Sequence, residues 1–248
     1  MRESVFITGG TSGLGLALAK LYDQAGFSVA VCGRDLTKLS PLDRENFQCY
    51  EVDVTKSEDL IAAVDDFVAK KGRLDIMIAS AGRSVGSKSK VPRFDVAREV
   101  IAINVFGVIN AFEAACKYML SQKKGQLVAI SSVAGFVGLP GASSYSASKA
   151  AVTIYCESLM LDLKDQGITT SVICPGFVDT PLTKKNNHSM PFLMSAGKAA
   201  VIMKNAIDRK KALTIFPWPM KLIITLLNKM PRCCYRFLMQ LKVLNYSR

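Results

Sequence analysis

The chain has 248 residues, half of them hydrophobic and 21% charged, which is enough for one well-filled core and excludes a disordered class. Its formal net charge of +12 is confined to the last quarter, where residues 181–248 hold thirteen Lys or Arg against one acid, Asp208. The first 180 residues balance to zero, so the excess belongs to one segment and not to the molecule at large.

Ser4 to Thr8 is a short apolar strand, followed at once by Gly9-Gly10-Thr11-Ser12-Gly13-Leu14-Gly15 and an apolar helical pattern through Leu16, Leu18, Ala19 and Leu21. Glycines at a strand-to-helix turn let the backbone approach a pyrophosphate, and the helix N-terminus offers N–H groups and partial positive charge. The spacing is Thr-Gly-x3-Gly-x-Gly rather than Gly-x-Gly-x-x-Gly, and alone it says little, because glycine-rich turns are common. Further strands are expected near 28–33, 47–53, 74–79, 125–132, 168–174 and 212–216, alternating with helices near 14–26, 57–71, 94–121, 144–166 and 197–210. Gly26 and Gly167 supply helix stops. Such alternation predicts βαβ units, hence an α/β fold with one doubly wound parallel sheet and helices on both faces. Loops at 83–92 and 183–197 follow strand carboxyl ends and should overhang the site.

The most telling spacing is Tyr145-Ser146-Ala147-Ser148-Lys149. At i and i+4 of a helix, phenol and ammonium share a face and can enter one pocket. A nearby cation favours phenolate, moving the tyrosine down towards the working range of a general acid or base. Ser132, thirteen residues upstream, ends the apolar run from Gln126, and a hydroxyl there sits where open α/β sheets place ligands. Together they indicate proton transfer to or from a substrate oxygen. In isolation Tyr-x3-Lys is an ordinary helix surface and Ser131-Ser132 an ordinary strand end; their order after the glycine turn gives them weight.

In these motifs the chain resembles the classical short-chain dehydrogenase/reductase family over roughly residues 4 to 216. Thr8 to Gly15 match its cofactor glycine motif, Asp53 its adenine contact, and Asn104, Ser132, Tyr145 and Lys149 its catalytic tetrad. Pro175-Gly176 with Thr180 match the segment that closes over the nicotinamide. One departure is Ala79-Ser80-Ala81-Gly82 where the family has Asn-Asn-Ala-Gly, a motif that mainly braces the central sheet. The resemblance implies a Rossmann-type catalytic domain over 1–216 that reduces a carbonyl with a nicotinamide cofactor. By family roles, Tyr145 protonates the carbonyl oxygen and Lys149 bonds the nicotinamide ribose and lowers the tyrosine pKa. Ser132 donates to the substrate oxygen, and Asn104 holds a water that links the lysine to solvent, unless it is simply a buried, satisfied amide. Cofactor contacts fall to Thr8, Gly9, Thr11, Ser12, Gly13, Leu14, Gly15, Arg34, Asp53, Val54, Ala81 and Gly82. They continue with Asn104, Tyr145, Lys149, Pro175, Gly176, Val178 and Thr180.

The second strand ends Cys32-Gly33-Arg34. An acid at that strand end selects NAD, whereas arginine favours a 2′-phosphate, so NADP is expected unless Arg34 is a solvated turn residue. Asp35 lies too late to replace the acid and is expected to cap the next helix. Three alternatives stay open: an NAD-linked alcohol dehydrogenase, a cofactor-binding regulatory protein without turnover, and a 3-oxoacyl-thioester reductase.

Met190, Phe192, Leu193 and Met194 are expected to form an apolar lid and Phe136, Val137 and Leu139 an apolar wall, suiting a hydrophobic carbonyl; they equally fit plain packing. His188, the only histidine, reads as solvated, and the seven cysteines, odd in number and without metal spacing, as free thiols. No run reaches about 18 apolar residues, and a first strand at Ser4 leaves no room for a signal peptide, so a cytoplasmic protein is expected. Residues 217–248 form a basic amphipathic extension. Lys221, Thr225, Asn228, Lys229, Arg232 and Arg236 lie opposite Met220, Ile223, Ile224, Leu227 and Met230, and Pro231 should split it into two helices. Packing on its own domain or a sister subunit is the plainer reading and peripheral membrane contact the alternative. Nucleic acid is not expected, because few aromatics interleave the basic residues. Family habit suggests a homodimer or homotetramer through helices 94–121 and 144–166.

Overall fold

The computed structural model of the chain describes residues 2–84, 93–185 and 189–240. Most of the 83–92 loop and His188 therefore lie outside the described residues. The sheet strands are β1 (Ser4–Thr8), β2 (Ser28–Gly33), β3 (Gln48–Glu51), β4 (Ile76–Ala79), β5 (Gly125–Ile130) and β6 (Ile168–Pro175). A short parallel pair, β7 (Val178–Asp179) and β8 (Met194–Ser195), stands apart, and β9 (Leu213–Phe216) returns to the sheet. Spatial order is β3-β2-β1-β4-β5-β6-β9, all parallel. Every residue of β1, β4 and β5 is buried, as central parallel strands covered on both faces must be.

Helices α1 (Gly13–Gln24), α2 (Pro41–Asn46), α3 (Ser57–Lys71), α4 (Phe94–Ile101), α5 (Gly107–Gln122), α6 (Ser143–Asp162) and α7 (Ala196–Asp208) flank the sheet. One core cluster joins Phe6, Met77 and Leu127 to Phe67 of α3, Phe112 of α5 and Val152 of α6. The other joins Ile7, Ile78 and Val128 to Leu18 of α1 and Met203 of α7. Alternate strand residues feed opposite clusters, which is how period-2 side chains on a pleated sheet fill two layers.

Several expected boundaries shift for local reasons. The 94–121 helix is broken by a π turn, Ala102–Phe106, centred on Asn104. The strand expected to reach 132 stops at Ile130, because Ser132 turns to cap the short 3-10 turn Val133–Gly135 through Ala134 N–H. α2 was legible in principle: Ser40, Pro41 and Asp43 form a capping box with proline at the first helical position. A window within Phe94–Gln122 has the length and mean hydropathy of a membrane span, but half of that window is buried inside the protein. The extension splits at Pro231 into α8 (Trp218–Lys229) and α9 (Arg232–Gln240). No disulfide joins the seven cysteines.

Candidate active site

β1 and β4 are neighbours, with Thr8 beside Ala79, yet the chain leaves them towards opposite sheet edges, which opens a crevice at their carboxyl ends. A pocket of about 490 Å³ follows this crevice from Arg34 to Lys149. Gly9, Thr11, Ser12, Gly13, Leu14 and Gly15 form one wall, and Asp53, Val54, Ala81 and Gly82 line the middle. Pro175, Gly176, Val178 and Thr180 close the side towards β7.

The lining suits a dinucleotide. α1 starts at Gly13 without a side-chain cap, so its first N–H groups face the pocket uncapped by protein, a site made for phosphate. Gly13 has φ +56, and a Cβ there would stand 3.4 Å from Thr180 Cβ, narrowing the gap between the turn and the β6–β7 segment. Asp53 accepts from the Thr55 amide (3.0 Å) and hydroxyl (2.9 Å); burial opposes its ionisation, but these bonds and the charge of Arg34 hold it below the usual carboxylate range. Asn110 of α5 donates to the Val54 carbonyl at 2.8 Å and so fixes that side of the pocket.

At the β2 end, Asp35 accepts from the Thr37 amide (2.9 Å) and pairs with Lys38, and it is not on the pocket wall. Arg34 is, and so is Lys38, a second cation that sequence reasoning missed. Its signal was present: four residues after Arg34, one short turn brings Lys38 back to the pocket.

At the other end the pocket collects Ser132, Tyr145 and Lys149. Ser132 is buried, accepts from the Ala134 amide at 3.1 Å and lies beside the Tyr145 phenol. Lys149, also buried, donates to the Ile130 carbonyl at 2.7 Å, and its ammonium lies 5.9 Å from the Tyr145 ring centre. Ser131 is committed elsewhere, bonding the Lys149 carbonyl and the Thr153 hydroxyl, both at 2.9 Å.

The structure differs from expectation at the tyrosine and places several other residues in ways the spacing did not give. Burial pushes the Tyr145 phenol up rather than down; the Ser132 hydroxyl lowers it only in part, and the nearby Cys174 thiol adds to the rise. Burial also pulls Lys149 down to about 8, against a small upward push from Cys174. Thr8 and Asn104 do not line the pocket. The Thr8 hydroxyl accepts from the Ser80 and Ala81 amides (3.2 and 3.3 Å), supplying bracing where the Asn-Asn pair is absent. Asn104 commits both amide hydrogens, to the Arg83 carbonyl (3.0 Å) and Ser148 hydroxyl (2.9 Å), and accepts from Arg83 N–H at 2.7 Å. It is a bracket between the β4 loop and α6, leaving no side-chain donor for a water. Finally, Met190, Phe192, Leu193 and Met194 are not on the pocket wall, and Phe136, Val137 and Leu139 pack instead with α8 and α9. The loop after β5 met the inner side of the C-terminal helices, which a strand-by-strand reading does not anticipate. Among the described residues no group of His, Cys, Asp or Glu is arranged to hold a metal.

A family model described as short chain dehydrogenase matches residues 3–191. An uncharacterized oxidoreductase of Myxococcus xanthus is 37% identical over 222 residues, covering 87% of this chain and 88% of that protein. Mouse (Mus musculus) dehydrogenase/reductase SDR family member 7B is 34% identical over 189 residues, covering 72% of this chain and 58% of that protein. A short-chain dehydrogenase structure from Streptomyces avermitilis has TM-score 0.81 at 24% identity, covering 91% of each chain. ElxO with NADP bound has TM-score 0.77 at 24% identity, over 87% of this chain and 97% of that one. The structural likenesses speak for the fold; the family match and the sequence relatives carry the rest: the chain belongs to the short chain dehydrogenase family and is an NAD(P)-dependent oxidoreductase.

Proposed function

We propose that the chain reduces a hydrophobic ketone, aldehyde or acyl carbonyl to an alcohol, with NADPH as the preferred cofactor. The observation that carries this is one continuous pocket with Arg34 and Lys38 at one end and Ser132, Tyr145 and Lys149 at the other. The two cations complement a 2′-phosphate; of the acids nearby, Asp35 is held by Thr37 and Lys38, and Asp53 by Thr55. That ElxO is described with NADP bound agrees with this preference.

When bound, the nicotinamide supplies the hydride. Tyr145 gives its phenolic proton to the carbonyl oxygen as hydride reaches carbon, so the product is a neutral alcohol and Tyr145 is left as phenolate. A phenol kept protonated by burial is in the state this direction needs. Ser132 orients the carbonyl oxygen and stabilises developing charge on it; Lys149, cationic below about pH 8, stabilises the phenolate. Ser148 and Asn104 hold α6 at the correct depth. Exposed apolar side chains Leu120 of α5 and Ile154 and Leu161 of α6, with Phe106 just before α5, support a homo-oligomer through those helices.

The test is NADPH oxidation followed optically across ketones, aldehydes and acyl thioesters of graded chain length, with Tyr145→Phe as control. Turnover that grows with apolar length and disappears in the variant supports the proposal. Tight NADPH binding with no turnover on any member of the panel sinks it.

A further inference from the structure

The C-terminal helix pair has two unlike sides. Met220 and Ile224 of α8 and Tyr235 and Met239 of α9 are buried against Val133 and Val137, and the Tyr235 hydroxyl donates to the Gly138 carbonyl at 2.5 Å. With that side committed, Trp218, Leu222 and Leu226, spaced at i, i+4 and i+8, lie on the opposite side and are 76%, 54% and 60% exposed. Phe237 of α9 is 69% exposed, beside a shallow apolar cleft formed with Met230, Cys233, Cys234 and Leu238. Lys221, Lys229, Arg232 and Arg236 are exposed on the same two helices, and residues 217–240 contain no Asp or Glu.

Burial of the inner side explains Met220 and Ile224 but not four large apolar side chains left in water. Ordinary soluble surfaces mix both charge signs and scatter their apolar residues singly. Here apolar anchors are grouped and ringed by one sign. A second copy meeting this face symmetrically would bring like charges together. An anionic lipid surface meets both needs, giving an apolar layer for the anchors and phosphates for the cations, with indole suited to the boundary between them.

We infer that the chain docks on anionic membranes through the outer side of α8 and α9. Trp218, Leu222, Leu226 and Phe237 enter the lipid interface while Lys221, Lys229, Arg232 and Arg236 meet lipid phosphates. The inner side of the same helices reaches the pocket: a Cβ on Gly176 would lie 3.2 Å from Pro217 and 3.3 Å from Met220. Docking thus holds the carboxyl edge of the sheet about one helix diameter, ~10 Å, from the lipid.

Trp218 is the only tryptophan in the chain, so its emission reports this face alone. The full chain is mixed at low salt with phosphatidylcholine vesicles with or without about 30 mol% phosphatidylglycerol. Expected are co-sedimentation and a blue shift with the anionic vesicles only, both reversed by high salt. Lys221→Glu with Lys229→Glu, and separately Leu222→Ser with Leu226→Ser, should each weaken partitioning at least tenfold while NADPH binding persists. Protein that stays in the supernatant with unshifted emission at every composition overturns the inference. So does a concentration-dependent dimer that the Leu222→Ser, Leu226→Ser variant dissociates, which would give the face to a second copy. Neither readout depends on turnover, so failure here leaves the reductase proposal standing.

Discussion

The ammonium of Lys149 donates to the carbonyl oxygen of Ile130, the last residue of β5, across 2.7 Å. This bond ties the middle of α6 to the strand end two residues before Ser132, so one side chain both carries the charge beside Tyr145 and fixes its distance from the serine. Buried charge is costly, and its pKa near 8 has a visible consequence. Below about pH 8 the cation is present in both folded and unfolded chains and the burial cost is complete. Between about 8 and the ordinary 10.5 the unfolded chain holds a proton that the folded chain has released, so stability contributed at this site rises with pH. Lys149→Met should therefore gain stability relative to the natural chain mainly below pH 8, with a differential on the order of 3 kcal/mol across the window. Denaturant melts of both proteins at pH 7 and pH 10 measure it, and a pH-independent difference would contradict the assignment. In kinetics, kcat/KM for NADPH, which reports the free enzyme, should be level near neutrality and fall above about pH 8.

Tyr145 and Ser132 should separate by magnitude. Removing the phenolic proton donor in Tyr145→Phe should lower kcat by about 10²- to 10⁴-fold and leave NADPH affinity within about twofold. Ser132→Ala should cost about 10²-fold or more in kcat. It should also cost about 1 kcal/mol of stability, because the same oxygen caps the Val133–Gly135 turn. Stopped-flow hydride transfer and thermal melts test the pair. A stable, fully active Ser132→Ala protein would remove the serine from both roles.

Much of this was legible in the chain. The parallel sheet with helices on both faces followed from alternating apolar runs, and every expected cofactor residue except Thr8 and Asn104 lines the pocket. Those two lie off the wall for one reason: spacing locates a residue on an element but not the partner its polar atoms choose. Thr8 found the Ser80 and Ala81 amides, and Asn104 found Arg83 and Ser148, across 72 and 21 or more positions of sequence. The Tyr145 pKa went the other way because burial is a tertiary quantity, which an i, i+4 argument does not contain. The apolar wall at 136–139 was visible as apolar, but what covers it is α8 and α9, nearly a hundred residues later.

Gly135 is a positioning residue that no motif pointed to. A Cβ there would lie 2.8 Å from the Lys149 carbonyl carbon and 2.9 Å from its oxygen, and these are backbone atoms that cannot rotate aside. Gly135→Ala should lower stability by about 1–3 kcal/mol and push α6 away from Ser132. The expected signature is a fall in kcat of at least tenfold with NADPH affinity retained, since the glycine turn is on the other wall. Unchanged kcat in a folded Gly135→Ala protein would show that the turn yields without disturbing Ser132, Tyr145 and Lys149.

The proposed homo-oligomer would use the outer faces of α5 and α6. Ile154 and Leu161 are among the most exposed aliphatic side chains of the catalytic region, on the outside of the helix that carries Tyr145 and Lys149. Ile154→Glu with Leu161→Glu should shift the mass measured by light scattering towards the monomer. A wild-type chain that is already monomeric at micromolar concentration would dispose of the interface.

The proposed preference for NADPH rests on two cations rather than one. Arg34 and Lys38 both face the pocket, but Lys38 is also paired to Asp35 at 3.3 Å, so part of its charge is already answered. Arg34 should therefore dominate. Arg34→Ala should weaken NADPH binding by about tenfold to a hundredfold, the scale of one or two charge-assisted bonds, while NADH changes little. Lys38→Ala should cost less, and it also releases the Asp35 carboxylate, which Thr37 still holds. The double variant should bring the NADPH and NADH dissociation constants together, and titration of cofactor fluorescence at two salt concentrations checks this. The NADPH advantage should shrink with salt in the natural chain, because exposed cations are screened, and be insensitive to salt in the double variant. Equal losses for both cofactors in Arg34→Ala would mean that the arginine shapes the pocket without reading the 2′-phosphate.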